Sequence, residues 1–189
     1  MSTNATFGPS ALVTPANMLT LGRLVVSPLI FAGIVSWGSS WSLAAAWVIV
    51  AGSDGADGWL ARRHGTTRSG AFLDPLADKI LILAALSALV VRGELFWLPV
   101  VLIAIREIAM SMYRSWAGRR GISIPARRSA KVKTFIQDLA VLIAVIPGLL
   151  SQNKLPLELA VWVAVVLTWW TGLQYLVDGK AALRKVLQH

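Results

Sequence analysis

Six long apolar stretches constrain the fold of this chain more than any other feature. Each approaches the roughly 20 residues that a helix needs to cross a bilayer, and the connectors between them are short and rich in turn residues. The predicted spans are 18–36, 42–61, 74–91, 96–116, 132–150 and 157–177. We therefore expect an all-α integral membrane bundle of six transmembrane helices, with no separate soluble domain.

The composition agrees with a lipid environment. Of 189 residues, 56% are hydrophobic and 14% are charged, which departs from the usual composition of a soluble domain. A net charge of +9 fits either nucleic acid or an anionic membrane surface, and the apolar content favours the membrane, so we expect no nucleic-acid partner. Residues 1–16 lack Lys and Arg and do not resemble a cleavable signal peptide. They are interpreted as a mobile tail before a single domain, 17–189.

The basic residues predict the orientation of the bundle, because short cytoplasmic loops carry an excess of Lys and Arg. Thirteen basic residues lie in the connectors after predicted spans two, four and six or at the adjoining span ends, whereas two occupy the connectors of the opposite side. The thirteen are Arg62, Arg63, Arg68, Arg114, Arg119, Arg120, Arg127, Arg128, Lys131, Lys133, Lys180, Arg184 and Lys185, and the two are Arg92 and Lys154. We expect a multi-pass protein of the cell (inner or plasma) membrane, with both termini in the cytoplasm.

Four of the nine acidic residues cluster around the connector between predicted spans two and three. Asp54 and Asp57 lie near the end of span two, and Asp74 and Asp78 lie at the start of span three. Spacings of three and four place each pair on one helical face. Four adjacent carboxylates would repel one another, whereas divalent cations with oxygen ligands would neutralise them. With no cysteine in the chain, Mg²⁺ or Mn²⁺ at the cytoplasmic boundary fits best, and a solvated loop with charged helix ends is the alternative.

One ordered set of residues runs through both aspartate pairs at fixed spacing. Its members are Asp54, Asp57, Gly58, Ala61, Arg62, Gly70, Asp74 and Asp78. The pattern resembles the signature of the CDP-alcohol phosphotransferase family at every position. The resemblance implies a six-helix fold, a homodimer, a site for two metal ions that opens to the cytoplasm, and a nucleotide-activated alcohol as donor.

The same resemblance implies a role for each signature residue. Asp54, Asp57 and Asp74 would act chiefly as metal ligands, and Asp78 would act as the catalytic base that also contacts a metal ion. The donor nucleotide would lie against the remaining members, Gly58, Ala61, Arg62 and Gly70. For Arg62, an anchor that only sets membrane orientation is the alternative.

Further segments resemble the bacterial phosphatidylglycerophosphate synthases within this family. They are residues 17–23, 70–79, 106–107, 130–134 and 173–176. This resemblance implies phosphatidyl transfer from CDP-diacylglycerol to sn-glycerol 3-phosphate, giving phosphatidylglycerol phosphate and CMP. Another acceptor, such as inositol phosphate, is the alternative, because the signature is common to enzymes that use different alcohols.

A phosphorylated acceptor requires a basic pocket near the aspartates, and Arg106 is the main candidate. It lies inside a predicted span, where a guanidinium without a function is costly, and the adjacent Glu107 is expected to point off at a different angle. A structural ion pair with another helix is the alternative for Arg106. Arg114, Lys131 and Lys133 are further candidates for the acceptor phosphate, and their alternative is a role in orientation and attraction to anionic lipid.

Two further expectations concern residues at the start of span one and an alternative class of function. Asn17, Thr20 and Arg23 enter span one at the cytoplasmic face and are interpreted as contacts to nucleotide or headgroup, with helix capping as the alternative for Asn17. An ion or solute transporter is the alternative from a different functional class, because intramembrane Asp and Arg also mark ion pathways. The concentration of the aspartates at one boundary disfavours it.

Overall fold

A computed structural model describes residues 15–64, 70–119, 128–151 and 153–187, with side chains over 21–53, 76–118, 129–151 and 153–179. These ranges contain six helices and no strand, which confirms the all-α prediction. The helices are α1 (Pro15–Trp37), α2 (Trp41–His64), α3 (Gly70–Val91), α4 (Trp97–Arg119), α5 (Arg128–Val145) and α6 (Leu155–Leu187).

Two helices differ clearly from their predicted spans: α6 continues to Leu187 beyond the predicted end at residue 177, and α5 stops short of its predicted end at residue 150. Helix α5 is the one that the sequence explains. It ends at Val145 because Pro147 disfavours helical backbone at the residue before it, and because Gly148 adopts a left-handed φ of 80° that glycine accommodates without a Cβ clash. At the other end of the chain, α1 begins at Pro15. The predicted tail, 1–16, therefore lies outside the described residues apart from its last two.

Helix α1 contacts α2 and α3, most extensively α3, while α6 packs against α4 and α5. Large apolar side chains fill the space between the helices, among them Ile34, Trp47, Leu86 and Ile103, each at most 2% exposed. The Trp47 indole also donates to the backbone carbonyl of Asp138 at 3.0 Å. These contacts join the six helices through one shared core.

The connectors after α1, α3 and α5 meet at one end of the bundle. The Arg92 guanidinium donates to the Val35 carbonyl at 3.1 Å, and Lys154 donates to the Gly93 carbonyl at 3.1 Å. Gly38, with φ of 70°, lies against Arg92, and a Cβ at Gly38 would come within 2.5 Å of the guanidinium. The helices therefore alternate in direction, and the aspartate-bearing ends of α2 and α3 lie away from these connectors.

Among the described residues, Leu155–Gly179 of α6 is the one helical segment long and apolar enough by itself to cross a bilayer. The apolar runs Leu21–Trp37 and Trp41–Ser53 are shorter, and charged residues interrupt α3, α4 and α5. Six transmembrane spans therefore stay a prediction.

The outer surface of the bundle exposes many large apolar side chains, and its mostly apolar interior contains several polar ones. Large apolar side chains such as Trp37, Ile49 and Met112 are exposed on the outer surface. Several polar or charged side chains are instead buried, namely Arg23, Ser27, Arg106, Glu107, Lys133, Gln137, Thr168 and Thr171. In soluble proteins, buried charges need a specific reason such as pairing or function.

Candidate active site

Asp78, the predicted base, lies on α3 and forms an ion pair with a residue of α1. Its Oδ1 lies 2.5 Å from Nη1 of Arg23, whose side chain is 3% exposed. The same guanidinium donates to Ser53 Oγ from Nε at 3.2 Å and from Nη2 at 3.1 Å. Because Ser53 directly precedes Asp54, Arg23 connects the helix that carries one aspartate pair to the helix that carries the other. The expected contact of Arg23 with nucleotide or headgroup stays a prediction.

The other predicted metal ligands can be placed only by their backbone. Asp54 and Asp57 belong to the C-terminal half of α2, and Asp74 to the second turn of α3. Their side chains lie outside the described residues, as do those of the predicted nucleotide-binding set, Gly58, Ala61, Arg62 and Gly70. Within the described side chains there is no group of three carboxylates or imidazoles that could hold a metal ion. The metal site therefore stays a prediction.

Three cations from three helices converge on one carboxylate, that of Glu107 on α4. Arg106 Nη1 donates to Glu107 Oε1 at 2.9 Å, and Lys133 of α5 donates to the same oxygen. Lys79 Nζ of α3 lies 3.5 Å from Oε2 and donates to the hydroxyl of Ser111. We call Lys79, Arg106, Glu107 and Lys133 the Glu107 cluster.

The expectation that Glu107 points away from Arg106 is wrong. Side chains that are adjacent in sequence project from a helix in different directions. The arginine side chain is nevertheless long enough to reach the Glu107 carboxylate, and the two form a buried ion pair. Arg106 Nη2 also donates to Thr171 of α6 at 2.7 Å. A Cβ at Gly172 would lie 3.1 Å from Arg106 Nε, so the glycine allows α6 to approach the guanidinium closely.

A cavity of about 140 Å³ lies between Asp78 and the Glu107 cluster. Its polar wall consists of Asp78, Lys79, Glu107, Lys133, Thr134 and Gln137, and its apolar wall of Ile82, Leu83 and Ile103. A smaller cavity of about 30 Å³ also contains Asp78, together with Arg23 and Asp138. The structure thus brings the predicted base and the predicted phosphate ligand Lys133 to one cavity.

The remaining acceptor candidates lie elsewhere. Arg106 is not among the residues that line the two cavities beside Asp78. Arg114 is exposed on α4, with its guanidinium carbon 5.9 Å from the centroid of the Tyr175 ring, and Lys131 is exposed at the start of α5. Their roles in acceptor binding stay predictions.

The sequence interpretation assigned no site role to Lys79 or Ser53. Lys79 follows Asp78 directly and lies inside a predicted span, so the cost of an intramembrane charge, which pointed to Arg106, applies to it equally. Ser53 carried no comparable indication, because a small polar residue in a helix is common. Its contact with Arg23 depends on how α1 packs against α2.

Sequence comparisons relate the chain to known enzymes. The family model for CDP-alcohol phosphatidyltransferases matches residues 13–170. A probable phosphatidylglycerophosphate synthase of Mycobacterium tuberculosis is 41% identical over 178 residues, covering 89% of this chain and 82% of that relative. The CDP-diacylglycerol–glycerol-3-phosphate 3-phosphatidyltransferase of Escherichia coli is 36% identical over 178 residues, covering 88% and 94%. The chain belongs to the CDP-alcohol phosphatidyltransferase family.

Proposed function

We propose that this chain transfers a phosphatidyl group from CDP-diacylglycerol to sn-glycerol 3-phosphate, giving phosphatidylglycerol phosphate and CMP. One observation carries the proposal within the family: Asp78 lines the same cavity as Lys79 and Lys133. An acceptor that bears both a hydroxyl and a phosphate suits such a cavity, since the carboxylate can accept a proton while the cations hold the phosphate. The names of the relatives support the same reaction.

The proposed chemistry is a direct displacement. The acceptor phosphate binds Lys79 and Lys133, which directs the free primary hydroxyl toward Asp78. Asp78 takes the hydroxyl proton as the acceptor oxygen bonds to the phosphatidyl phosphorus, and the bond from that phosphorus to the CMP oxygen breaks. Arg106 lies behind the lysines, paired with Glu107, and adds positive potential to the phosphate site.

We propose that two Mg²⁺ or Mn²⁺ ions are held by Asp54, Asp57, Asp74 and Asp78. Asp78 fits this role, because its side chain is 31% exposed beside the cavities and offers the oxygen atoms that hard cations prefer. When bound, the ions neutralise charge that develops on the transferred phosphorus and on CMP. Asp78 then serves both as a metal ligand and as the acceptor of the hydroxyl proton.

The cytidine nucleotide is proposed to bind Gly58, Ala61, Arg62 and Gly70, by resemblance to the family signature. Arg114 and Lys131, which are exposed near the same end of the bundle, are proposed to attract the anionic acceptor before it enters the cavity. Their effect should then weaken as added salt screens exposed charges.

One assay tests the reaction and its acceptor. Purified protein is incubated with CDP-diacylglycerol and Mg²⁺ or Mn²⁺, and CMP release is measured with glycerol 3-phosphate, inositol phosphate, glycerol or inositol. We expect release with glycerol 3-phosphate and little with the two alcohols that lack a phosphate. CMP release with inositol phosphate alone would show that the proposed acceptor is wrong, whereas the proposed phosphatidyl transfer would stand. No release with any alcohol would refute the enzymatic proposal.

We also propose that all six helices span the cell membrane, with the active site and both termini in the cytoplasm. The exposed apolar surface and the buried charges support this placement, as does the excess of basic residues at the aspartate end. The chain has no native cysteine, so single cysteines report topology directly. Cysteines replacing Thr66 and Ser123 should react with a membrane-impermeant reagent only from the cytoplasmic side, and one replacing Gln152 only from outside.

A homodimer is proposed from the family resemblance. Its mass in detergent, measured by light scattering with correction for bound detergent, should be twice that of the 20.4 kDa chain. A monomer that retains full activity would remove this proposal without affecting the reaction.

A further inference from the structure

Charged side chains from helices α3, α4 and α5 form ion pairs with one another at Glu107. Its side chain is 5% exposed, and Lys79, Arg106 and Lys133 lie within ion-pairing distance of its two oxygens. One negative charge therefore faces three positive charges in the interior of the bundle. Without the carboxylate, the three cations would repel one another and carry an uncompensated desolvation cost.

Two polar atoms of the Glu107 cluster lack a hydrogen-bond partner among the described residues. In the described part of the chain, Glu107 Oε2 and Arg106 Nε are buried and have no hydrogen-bond partner. A lysine ammonium has three donors, and Lys79 and Lys133 both line the cavity that contains Asp78. Each lysine therefore has donors beyond its contact with Glu107, and Glu107 lines the same cavity beside them.

We propose that Glu107 is a positioning residue of the acceptor site, which gathers Lys79 and Lys133 into one phosphate-binding pair opposite Asp78. The inference rests on the proposed function, because it requires an acceptor with a phosphate. Glu107 acts through the lysines and does not contact the reacting atoms. In the free enzyme its carboxylate compensates part of the positive charge, and the acceptor phosphate compensates more of it on binding.

A positioning role for Glu107 predicts different effects on kcat and on the KM for glycerol 3-phosphate when its charge is removed. Glu107→Gln keeps the size of the side chain but removes its charge, so the cavity becomes more positive and attraction for a phosphate persists. The lysines, however, lose the ionic contact that fixes their position. Misplacement of a substrate by about 1 Å costs on the order of a hundredfold in rate. We expect kcat to fall roughly ten- to hundredfold while the KM for glycerol 3-phosphate stays the same or decreases.

Glu94→Gln is the matched control. Glu94 also accepts from an arginine, Arg92 Nε at 2.9 Å, but it lies at the connector end of the bundle and is absent from the cavities beside Asp78. This variant should keep the kcat and KM of the wild type. Its melting temperature in detergent shows what loss of an ion pair alone does to the protein.

Glu107→Asp keeps the inference testable if the glutamine variant fails to fold. Aspartate preserves the charge and so the balance of the cluster, but its shorter side chain changes the position at which the lysines are held. We expect normal melting with a kcat below that of the wild type. Wild-type kcat in this variant would show that charge balance alone matters, and would overturn the inference.

The experiment measures CMP release against glycerol 3-phosphate concentration for the wild type and the three variants, with melting temperatures alongside. A low kcat without a raised KM in Glu107→Gln, with Glu94→Gln unaffected, supports the inference. An unchanged kcat in Glu107→Gln, or a raised KM at unchanged kcat, removes it while the proposed function stands. A wild-type protein that releases no CMP removes the proposed function, and the inference with it.

Discussion

Arg23 and Asp78 form an ion pair between α1 and α3 at the boundary between the core and the candidate active site, with Nη1 and Oδ1 2.5 Å apart. Since the same guanidinium donates twice to Ser53 of α2, one side chain links three helices. Loss of one partner from a buried ion pair is usually costly, because the other charge is left without compensation.

Replacement of Arg23 should therefore lower turnover in a graded way. Arg23→Lys keeps a charge for Asp78 but lacks the planar fork that also reaches Ser53, so we expect an intermediate kcat. Arg23→Gln should be lower still. CMP release and melting in detergent are measured together, with Ser27→Ala as control, since its hydroxyl donates only to the Arg23 backbone carbonyl at 2.7 Å. Full activity in Arg23→Gln would contradict the prediction.

Asp78→Asn should nearly abolish CMP release, because an amide cannot accept the hydroxyl proton. The fold should survive, since the amide oxygen can still accept a hydrogen bond from Arg23. Asp138→Asn is a suitable comparison, because Asp138 lies beside Asp78 in the smaller cavity and has no proposed catalytic role. Near-normal turnover in Asp78→Asn would exclude it as the base.

Asp57→Asn should raise the concentration of Mg²⁺ or Mn²⁺ needed for half-maximal activity, because an amide oxygen is a poorer ligand than a carboxylate. The measurement is a metal titration of CMP release, supported by direct Mn²⁺ binding followed by electron paramagnetic resonance. If both titrations match the wild type, Asp57 is not a ligand.

Lys133→Gln and Arg106→Gln compare a phosphate contact proposed from the structure with the main candidate from the sequence. Loss of one charge-assisted bond costs roughly 1.5–3 kcal/mol, or about ten- to hundredfold in affinity. We expect Lys133→Gln to raise the KM for glycerol 3-phosphate by this factor while changing the KM for CDP-diacylglycerol much less. Arg106→Gln should have the smaller effect on the acceptor, because Arg106, unlike Lys133, does not line the cavity beside Asp78 and has a second partner in Thr171. The opposite order would make Arg106 the main anchor.

Gly179→Ala should destabilise the contact between α4 and α6. The Tyr113 hydroxyl occupies the space that a Cβ at Gly179 would take, and overpacking of this kind typically costs about 1–3 kcal/mol. Gly118→Ala, also in a helix but with no atom within 4 Å of its added Cβ, should leave melting unchanged or raised. A double variant with Tyr113→Phe should recover part of the stability lost in Gly179→Ala.

The sequence by itself determined which segments are helical and which residues carry the signature. Runs of about 20 apolar residues have few alternatives to a helix, because each backbone donor and acceptor must be satisfied within the segment in lipid. The aspartate spacing and the distribution of Lys and Arg are properties of the linear chain. The end of α5 at Val145 was missed, although Pro147 and Gly148 marked it.

The tertiary structure alone decided which polar groups share the interior. Whether Arg106 meets Glu107, whether Lys79 and Lys133 face one cavity, and whether Arg23 reaches both Ser53 and Asp78 depend on the rotation of each helix about its axis and on side-chain rotamers. The periodicity of apolar residues shows which side chains share a face of a helix but not which helix packs against that face. Long charged side chains can also reach several positions from one backbone site. The charge arrangement at the cavity beside Asp78 therefore follows from packing among α3, α4, α5 and α6.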